Sequence, residues 1–344
     1  MEARMEKFEF VSLEDGMFPP SVPRRSFQNP ISMYAPGYMP LPSGSSGEFK
    51  ISRLTGQKKA LIVGINYFDT TKELKECIDD AHGMRDLLIS CFSFPEEQVV
   101  LLTDDDESAY PTKKNIVAGL KWLVKDAQPN DSLVFHYSGH SMRLGYSSSF
   151  GLEEAICPID AYIDGYISGR DIHRMLIKTL PAGCRLTIFM DCCNSRPSIE
   201  LAYEYDDHAT LDKVFFPKAT KKLRSSWLCS PASLWRFTPL PTLAPIHASP
   251  RDPAASLAFN SIFPDVLLFS GCRNQLVSRN SYTPTEKKTN LLTKSIITIL
   301  TKDPYSMTYR RLFEKLRKVM KVDSNTLPRL NAAYPLDPTR TFIL

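Results

Sequence analysis

The sequence predicts an α/β protein built on a doubly wound, mostly parallel sheet with helices on both faces. Three observations carry that reading. Apolar runs of strand length recur in KKALIVGINY, QVVLLT, SLVFHYSGH, CRLTIFMDCC and DVLLFSGC. Segments with apolar residues three and four apart, the spacing of one helix face, separate them. Strands alternating with helices form parallel sheets, and right-handed crossovers bring successive strand ends to one edge.

Residues 1–55 are rich in Pro, Ser, Gly and Tyr, show no periodicity, and are expected to form a flexible leader. From residue 56 to 344 the pattern is that of a single domain, and 43% hydrophobic residues are ample for its core. ALIVGINY is the first strand, short, apolar and bounded by polar residues, as in a strand buried on both faces. Cys77, Ala81, Met84, Leu87, Leu88 and Cys91 then mark one face of a helix from about residue 74 to 91. QVVLLT is the second strand, residues 115–124 a second helix stopped before Pro129, and SLVFHYSGH the third strand. GYSSSFG reads as a loop, EEAICPID as a short strand, and residues 168–180 as a helix capped by Ser168. CRLTIFMDCC follows. Repeated prolines and clustered Lys and Arg from about 205 to 260 read as a long exposed insertion. DVLLFSGC, two helices near 289–302 and 306–320, and a terminal TFIL able to pair at a sheet edge complete the chain.

Lys and Arg number 42 against 38 Asp and Glu, so the balance of +4 gives no reason to expect nucleic acid or anionic lipid as partner. No apolar run approaches the ~18–20 residues of a membrane span, and the first ten residues, MEARMEKFEF, carry acids where a secretory signal would be apolar. A cytoplasmic chain is expected. Its eight cysteines are dispersed without CxxC pairs, which suggests reduced thiols rather than a disulfide framework or a zinc site.

Functional groups in open parallel sheets gather where strands end at their carboxyl side. Two such ends are chemically loaded: the third strand finishes in His136-Tyr137-Ser138-Gly139-His140, and CRLTIFMDCC leads into Asp191-Cys192-Cys193-Asn194-Ser195. A thiol attacks well only as thiolate, and an imidazole within reach can take its proton and later deliver it to a leaving amine. Alone, a cysteine beside an apolar strand is more often an inert core residue; His136, inside the apolar run, is assigned to structure, while His140, after a glycine at the strand's end, favours exposure. The pairing of His140 with Cys193 is what points to nucleophilic catalysis.

KKALIVGINY, CIDDAH, VLLTDD, WLVKDAQPNDSLVFHYSGH and FMDCCNS together resemble the type I metacaspases, the caspase-like peptidases of fungi, protists and plants. The likeness covers roughly residues 58–205 and resumes from DVLLFSG to the C-terminus, and the leader resembles that type's proline-rich prodomain. The resemblance implies a caspase-like fold and a monomeric cysteine endopeptidase of stress response or programmed cell death. It implies cleavage of proteins or peptides after Arg or Lys, with His140 as general base and Cys193 as nucleophile. It further implies an S1 pocket of Cys77, Asp80, Ser138 and Asp191, and an oxyanion site formed by main-chain N–H groups of Gly139 and Cys193. No cofactor is required; the family's calcium positions match Glu153, Glu154 and Glu200, a set expected to bind the ion weakly or not at all.

The sequence departs from the family near the dyad. Ser141 replaces a glycine, at a cost on the order of 1 kcal/mol or more if that backbone needs positive φ. Asn194 and Arg196 replace a histidine and a glycine, and RLGYSSSFG carries none of the acids of the family's loop. These changes keep open a second reading, a catalytically silent caspase-fold protein that binds partners. Lys213, Lys218, Lys221, Lys222 and Arg224 make the insertion a candidate for self-cleavage.

Overall fold

The computed structural model describes residues 38–39, 49–147, 151–192, 199, 201, 203–205, 264–273, 291–324, 326–334 and 336–344. In chain order, β1 (Tyr38–Met39) and β2 (Phe49–Lys50) pair antiparallel, and β3 (Lys58–Gly64) leads into α1 (Cys77–Phe92). β4 (Val99–Thr103), α2 (Lys113–Val124), β5 (Ser132–Gly139), β6 (Ser141–Ser147) and β7 (Gly151–Ile156) follow. Then come α3 (Ala161–Asp164), β8 (Ile167–Ser168), α4 (Gly169–Ile172), β9 (Arg185–Cys192) and β10 (Tyr203–Tyr205). β11 (Asp265–Arg273), α5 (Leu291–Lys302), α6 (Tyr309–Ser324) and β12 (Thr326–Ala332) complete the list.

The main sheet has the order β10-β12-β11-β9-β5-β3-β4. Its five strands from β11 to β4 run parallel, and β12 lies antiparallel between β11 and β10. Strand alternation splits the core in two. Ala60, Ile62, Val134, Phe189 and Phe269 face Met84, Leu88, Ile296 and Leu316 of α1, α5 and α6. Leu61, Val63, Phe135, Ile188 and Leu268 face Ile116, Leu120 and Ile172 of α2 and α4. β5 and β9 are buried along their whole length, which is why both read as unbroken apolar runs.

Local chemistry sets the helix ends. α1 stops where Ser93 takes a left-handed φ of 56° and the Phe94 N–H bonds back to Leu88 O at 3.0 Å. α2 starts two residues earlier than the periodicity indicates because Thr112 Oγ1 accepts the Asn115 N–H at 3.2 Å. It ends at Val124, ahead of Pro129, where Lys125 is extended. Ser168 caps α4 in a reciprocal capping box with Asp171, and the helix passes into one π turn, His173–Ile177.

Two readings are corrected. GYSSSFG is not simply a loop: Gly145–Ser147 belong to β6, which pairs with β7 in a hairpin, the serines having hidden a strand that lies outside the main sheet. TFIL does not join the sheet edge. Thr341 makes a single bridge to Thr308, and Phe342 packs edge-on against Phe269 and Tyr309 in the core. The strand that completes this side of the sheet is β12, between β11 and β10, disguised by Pro328. That proline pairs with Gly271 beyond the reach of three-residue β10, so among the described residues its missing N–H faces no partner strand.

Packing begins within the expected leader, since Ile51 is buried and the Ser52 N–H donates to Asp265 Oδ2 at 3.0 Å. The expected insertion, apart from Tyr205 in β10, lies outside the described residues. Among the described residues no helix is long and apolar enough to cross a membrane.

Candidate active site

The chain leaves β3 for the edge strand β4 and returns to β5 on the other side of β3, so the switch point of the sheet, where ligands of doubly wound sheets bind, lies at the carboxyl ends of β3 and β5. Ser138 is the register partner of Gly64 on one side and of Asp191 on the other, and the next rung pairs Gly139 with Cys192. α1 starts against the same edge. Asn66 Oδ1 accepts the Cys77 N–H at 3.0 Å, and a Cβ at Gly64 would collide with the Cys77 carbonyl.

The expected pocket residues are mostly drawn together here. Asp80, on the first turn of α1, is buried, and its Oδ2 accepts the Ser138 hydroxyl at 2.9 Å. Asp191 is 6% exposed, and its Oδ2 accepts the Thr293 N–H at 2.7 Å, so it sits at the N-terminal turn of α5. Burial pushes the Asp191 carboxyl up to about 6 against the opposing pull of those N–H bonds, with the Glu76 charge adding to the rise. Cys77 is fully buried one helical turn before Asp80. His136 is enclosed beside this cluster, 3.0 Å from Thr293 Oγ1; burial lowers it to about 3, so it stays neutral and structural.

His140 follows the last residue of β5. Its Nε2 is 2.6 Å from the Lys72 carbonyl oxygen, which can only accept. Nε2 therefore carries the hydrogen, and Nδ1 is the basic nitrogen of the neutral ring. The ring lies 4.7 Å, centroid to centroid, from that of Tyr67. Two phenols hold its backbone: the His140 N–H donates to Tyr67 Oη at 3.0 Å, and Tyr137 Oη donates to His140 O at 2.7 Å. Burial keeps both phenols well above their ordinary pKa, so they remain donors. Gly139 is required by this pair, since a Cβ there would lie 2.7 Å from Tyr137 Oη.

Cys193, Asn194, Arg196 and Glu200 lie outside the described residues. Cys192, immediately before Cys193, is buried among Met190, Ile188 and Ile199, on the opposite sheet face from Asp191. Ser141 opens β6 opposite Ile156 without positive φ, which removes the backbone cost anticipated for it.

Calcium takes six to eight oxygen ligands. Among the described residues no three His, Cys, Asp or Glu side chains converge on one point. Glu154 is buried in a small cavity lined by Ser141, Ile156, Ile172, Met190, Cys192 and Ile199, a mostly apolar surround. Glu153 precedes it in β7.

Sequence reasoning missed Tyr67, Tyr137, Asn66, Asp104 and Thr293. Tyr67 and Tyr137 stand at the ends of apolar runs, where a polar-tipped aromatic hints at a buried hydroxyl seeking partners. Asp104 and Thr293 carry no such mark, because Asp104 accepts backbone N–H groups and Thr293 donates its own to Asp191, pairings that the fold alone creates.

A sequence profile described as "Metacaspase, peptidase C14 domain" matches residues 58–202. Metacaspase-1 of Scheffersomyces stipitis is 33% identical over 311 residues, covering 86% of this chain and 75% of that protein. Metacaspase-1 of Kluyveromyces lactis is 30% identical over 337 residues, covering 92% and 76%. A crystallised protein from Geobacter sulfurreducens superposes with a TM-score of 0.50 at 17% identity, over 83% of this chain and 97% of that one, a likeness of fold.

Proposed function

We propose that this chain, which belongs to the metacaspase family of cysteine peptidases, cleaves proteins after Arg or Lys with His140 as general base and Cys193 as nucleophile. The carrying observation is the rung that pairs Gly139 with Cys192, because the residues that follow these two in sequence, His140 and Cys193, are the proposed dyad. One rung earlier, Ser138 and Asp191 share the sheet face over which Asp80 lies.

In this reading Lys72 O fixes the imidazole through Nε2–H, and Nδ1 takes the proton from the Cys193 Sγ–H. The thiolate adds to the scissile carbonyl. Main-chain N–H groups of Cys193 and Gly139 meet the oxyanion. The imidazolium then returns its proton to the departing amine, leaving a thioester that water, deprotonated by the same nitrogen, hydrolyses. Asp80 and Asp191 receive the P1 guanidinium or ammonium through charge-assisted bonds that a neutral P1 cannot make.

The test is turnover of fluorogenic peptides with Arg, Lys or Asp at P1, with and without calcium, by the wild type and by Cys193→Ala and His140→Ala. Cleavage after Arg and Lys that both substitutions abolish supports the proposal. Preference for Asp would overturn the pocket assignment, and cleavage that survives Cys193→Ala would overturn the mechanism.

A further inference from the structure

Tyr67 closes an incomplete rung. The β6–β7 hairpin begins at Ser141↔Ile156, and the next residues outward are His140 and Cys157. Residues of a hydrogen-bonded antiparallel pair exchange two N–H···O bonds. Here one is direct, from the Cys157 N–H to His140 O at 3.1 Å. The other is interrupted by a phenol: the His140 N–H donates to Tyr67 Oη at 3.0 Å, and Tyr67 Oη donates to Cys157 O at 2.6 Å. The hydroxyl acts as a wedge that holds His140 away from a fully formed rung.

The wedge is itself clamped. Tyr67 has a φ of 55°, a left-handed conformation that a bulky residue rarely adopts unless its surroundings impose it. The carboxylate of Asp104, just past β4, imposes it. Oδ1 accepts the Asn66 N–H at 2.8 Å, and Oδ2 accepts the N–H groups of Tyr67 at 2.6 Å and Phe68 at 3.4 Å, an anion cradled by successive amides. Asn66 in turn reaches the start of α1 through the Cys77 N–H. One carboxylate thus sets the loop that carries both the histidine's wedge and the anchor of the helix bearing Asp80.

We propose that Tyr67 and Asp104 are positioning residues of the active site: the Tyr67 hydroxyl, locked in place by Asp104, sets the His140 backbone so that its imidazole meets Lys72 O through Nε2. The kinetic readout rests on the peptidase reading above; the spectroscopic one does not.

The two residues have separable signatures. Tyr67→Phe keeps the ring and removes the wedge, so the rung closes and the imidazole shifts. The expected result is a kcat lowered roughly tenfold to hundredfold, with KM for an Arg peptide little changed because the pocket hangs on Asn66. Asp104→Asn loosens both branches and is expected to lower kcat and raise KM. Tyr305→Phe, which removes an exposed hydroxyl elsewhere, serves as control. Independently of turnover, nitrogen chemical shifts of 15N-histidine-labelled protein should show His140 held as the Nε2–H tautomer in the wild type and a mixture of tautomers in Tyr67→Phe, with the thermal midpoint recorded for each variant. Unchanged kcat and an unchanged tautomer in Tyr67→Phe would overturn the proposal. A tautomer shift in a protein without peptidase activity would support the positioning while sinking the peptidase reading.

Discussion

The Ser138 hydroxyl donates to Asp80 Oδ2 at 2.9 Å, joining the end of β5 to the first turn of α1 across 58 residues of chain. It places a carboxylate beside the strand whose next residues are Gly139 and His140. Asp80→Asn keeps the shape and an acceptor oxygen while removing the charge. The expected loss is about 1.5–3 kcal/mol, the worth of a hydrogen bond to a charged partner, seen as a 10- to 100-fold fall in kcat/KM for Arg peptides. Steady-state kinetics checks it, and an unchanged ratio of Arg to neutral P1 would exclude Asp80 from the pocket.

Asp191 predicts a pH dependence. Its folded pKa near 6 lies above the ordinary value of 3.8, so its charge is lost as pH falls through about 6. kcat/KM for Arg peptides should decline below that pH, and Asp191→Asn should be low and lack this inflection. Stability runs the other way. Between about 4 and 6 the folded state binds more protons than the unfolded, so the group's contribution is full at acid pH and is lost as pH rises through 6. Thermal melts should therefore show Asp191→Asn gaining on the wild type between pH 4 and pH 7, by up to about 3 kcal/mol.

Arg185 Nε lies 2.7 Å from Asp265 Oδ2, with both side chains almost wholly buried, and its Nη1 reaches Tyr309 Oη at 3.0 Å. Removing one member strands a buried charge. Arg185→Leu is expected to destabilise the fold by about 3–5 kcal/mol, and Arg185→Leu with Asp265→Leu by much less. Urea denaturation of the three proteins measures the difference.

Cutting the chain between residues 220 and 250 should leave one particle. β9 of the N-terminal piece pairs with β11 of the C-terminal piece from Arg185↔Asp265 to Met190↔Ser270, and β10 is clasped by β12. With a recognition sequence for an added protease placed there, the two pieces should co-elute under native conditions and separate in denaturant. Separation without denaturant would contradict the strand order.

Much of this was legible in the sequence, and for identifiable reasons. Strands buried on both faces, such as Ser132–Gly139 and Arg185–Cys192, must be continuous apolar runs, so they announce themselves. A chemically loaded residue directly after such a run, as at His140, falls on the ligand-binding edge without further information. Elements stabilised from outside the local chain were not legible. β12 was hidden by Pro328, and β6 by serines and glycine in a hairpin beyond the main sheet. The clamp on Tyr67 was equally silent, because Asp104 acts through backbone amides that any sequence carries. Thr293 meets Asp191 across 102 residues, a separation at which spacing says nothing.

The proposed pairing of His140 with Cys193 is tested most directly by the pH dependence of Cys193 alkylation. Iodoacetamide labelling is followed peptide by peptide by mass spectrometry in the wild type and in His140→Ala. An imidazole within proton-transfer reach predicts thiolate reactivity at Cys193 well below the ordinary cysteine pKa of about 8.5, lost in His140→Ala while Cys91 labels identically in both. A Cys193 profile that is the same with and without the histidine would contradict the account.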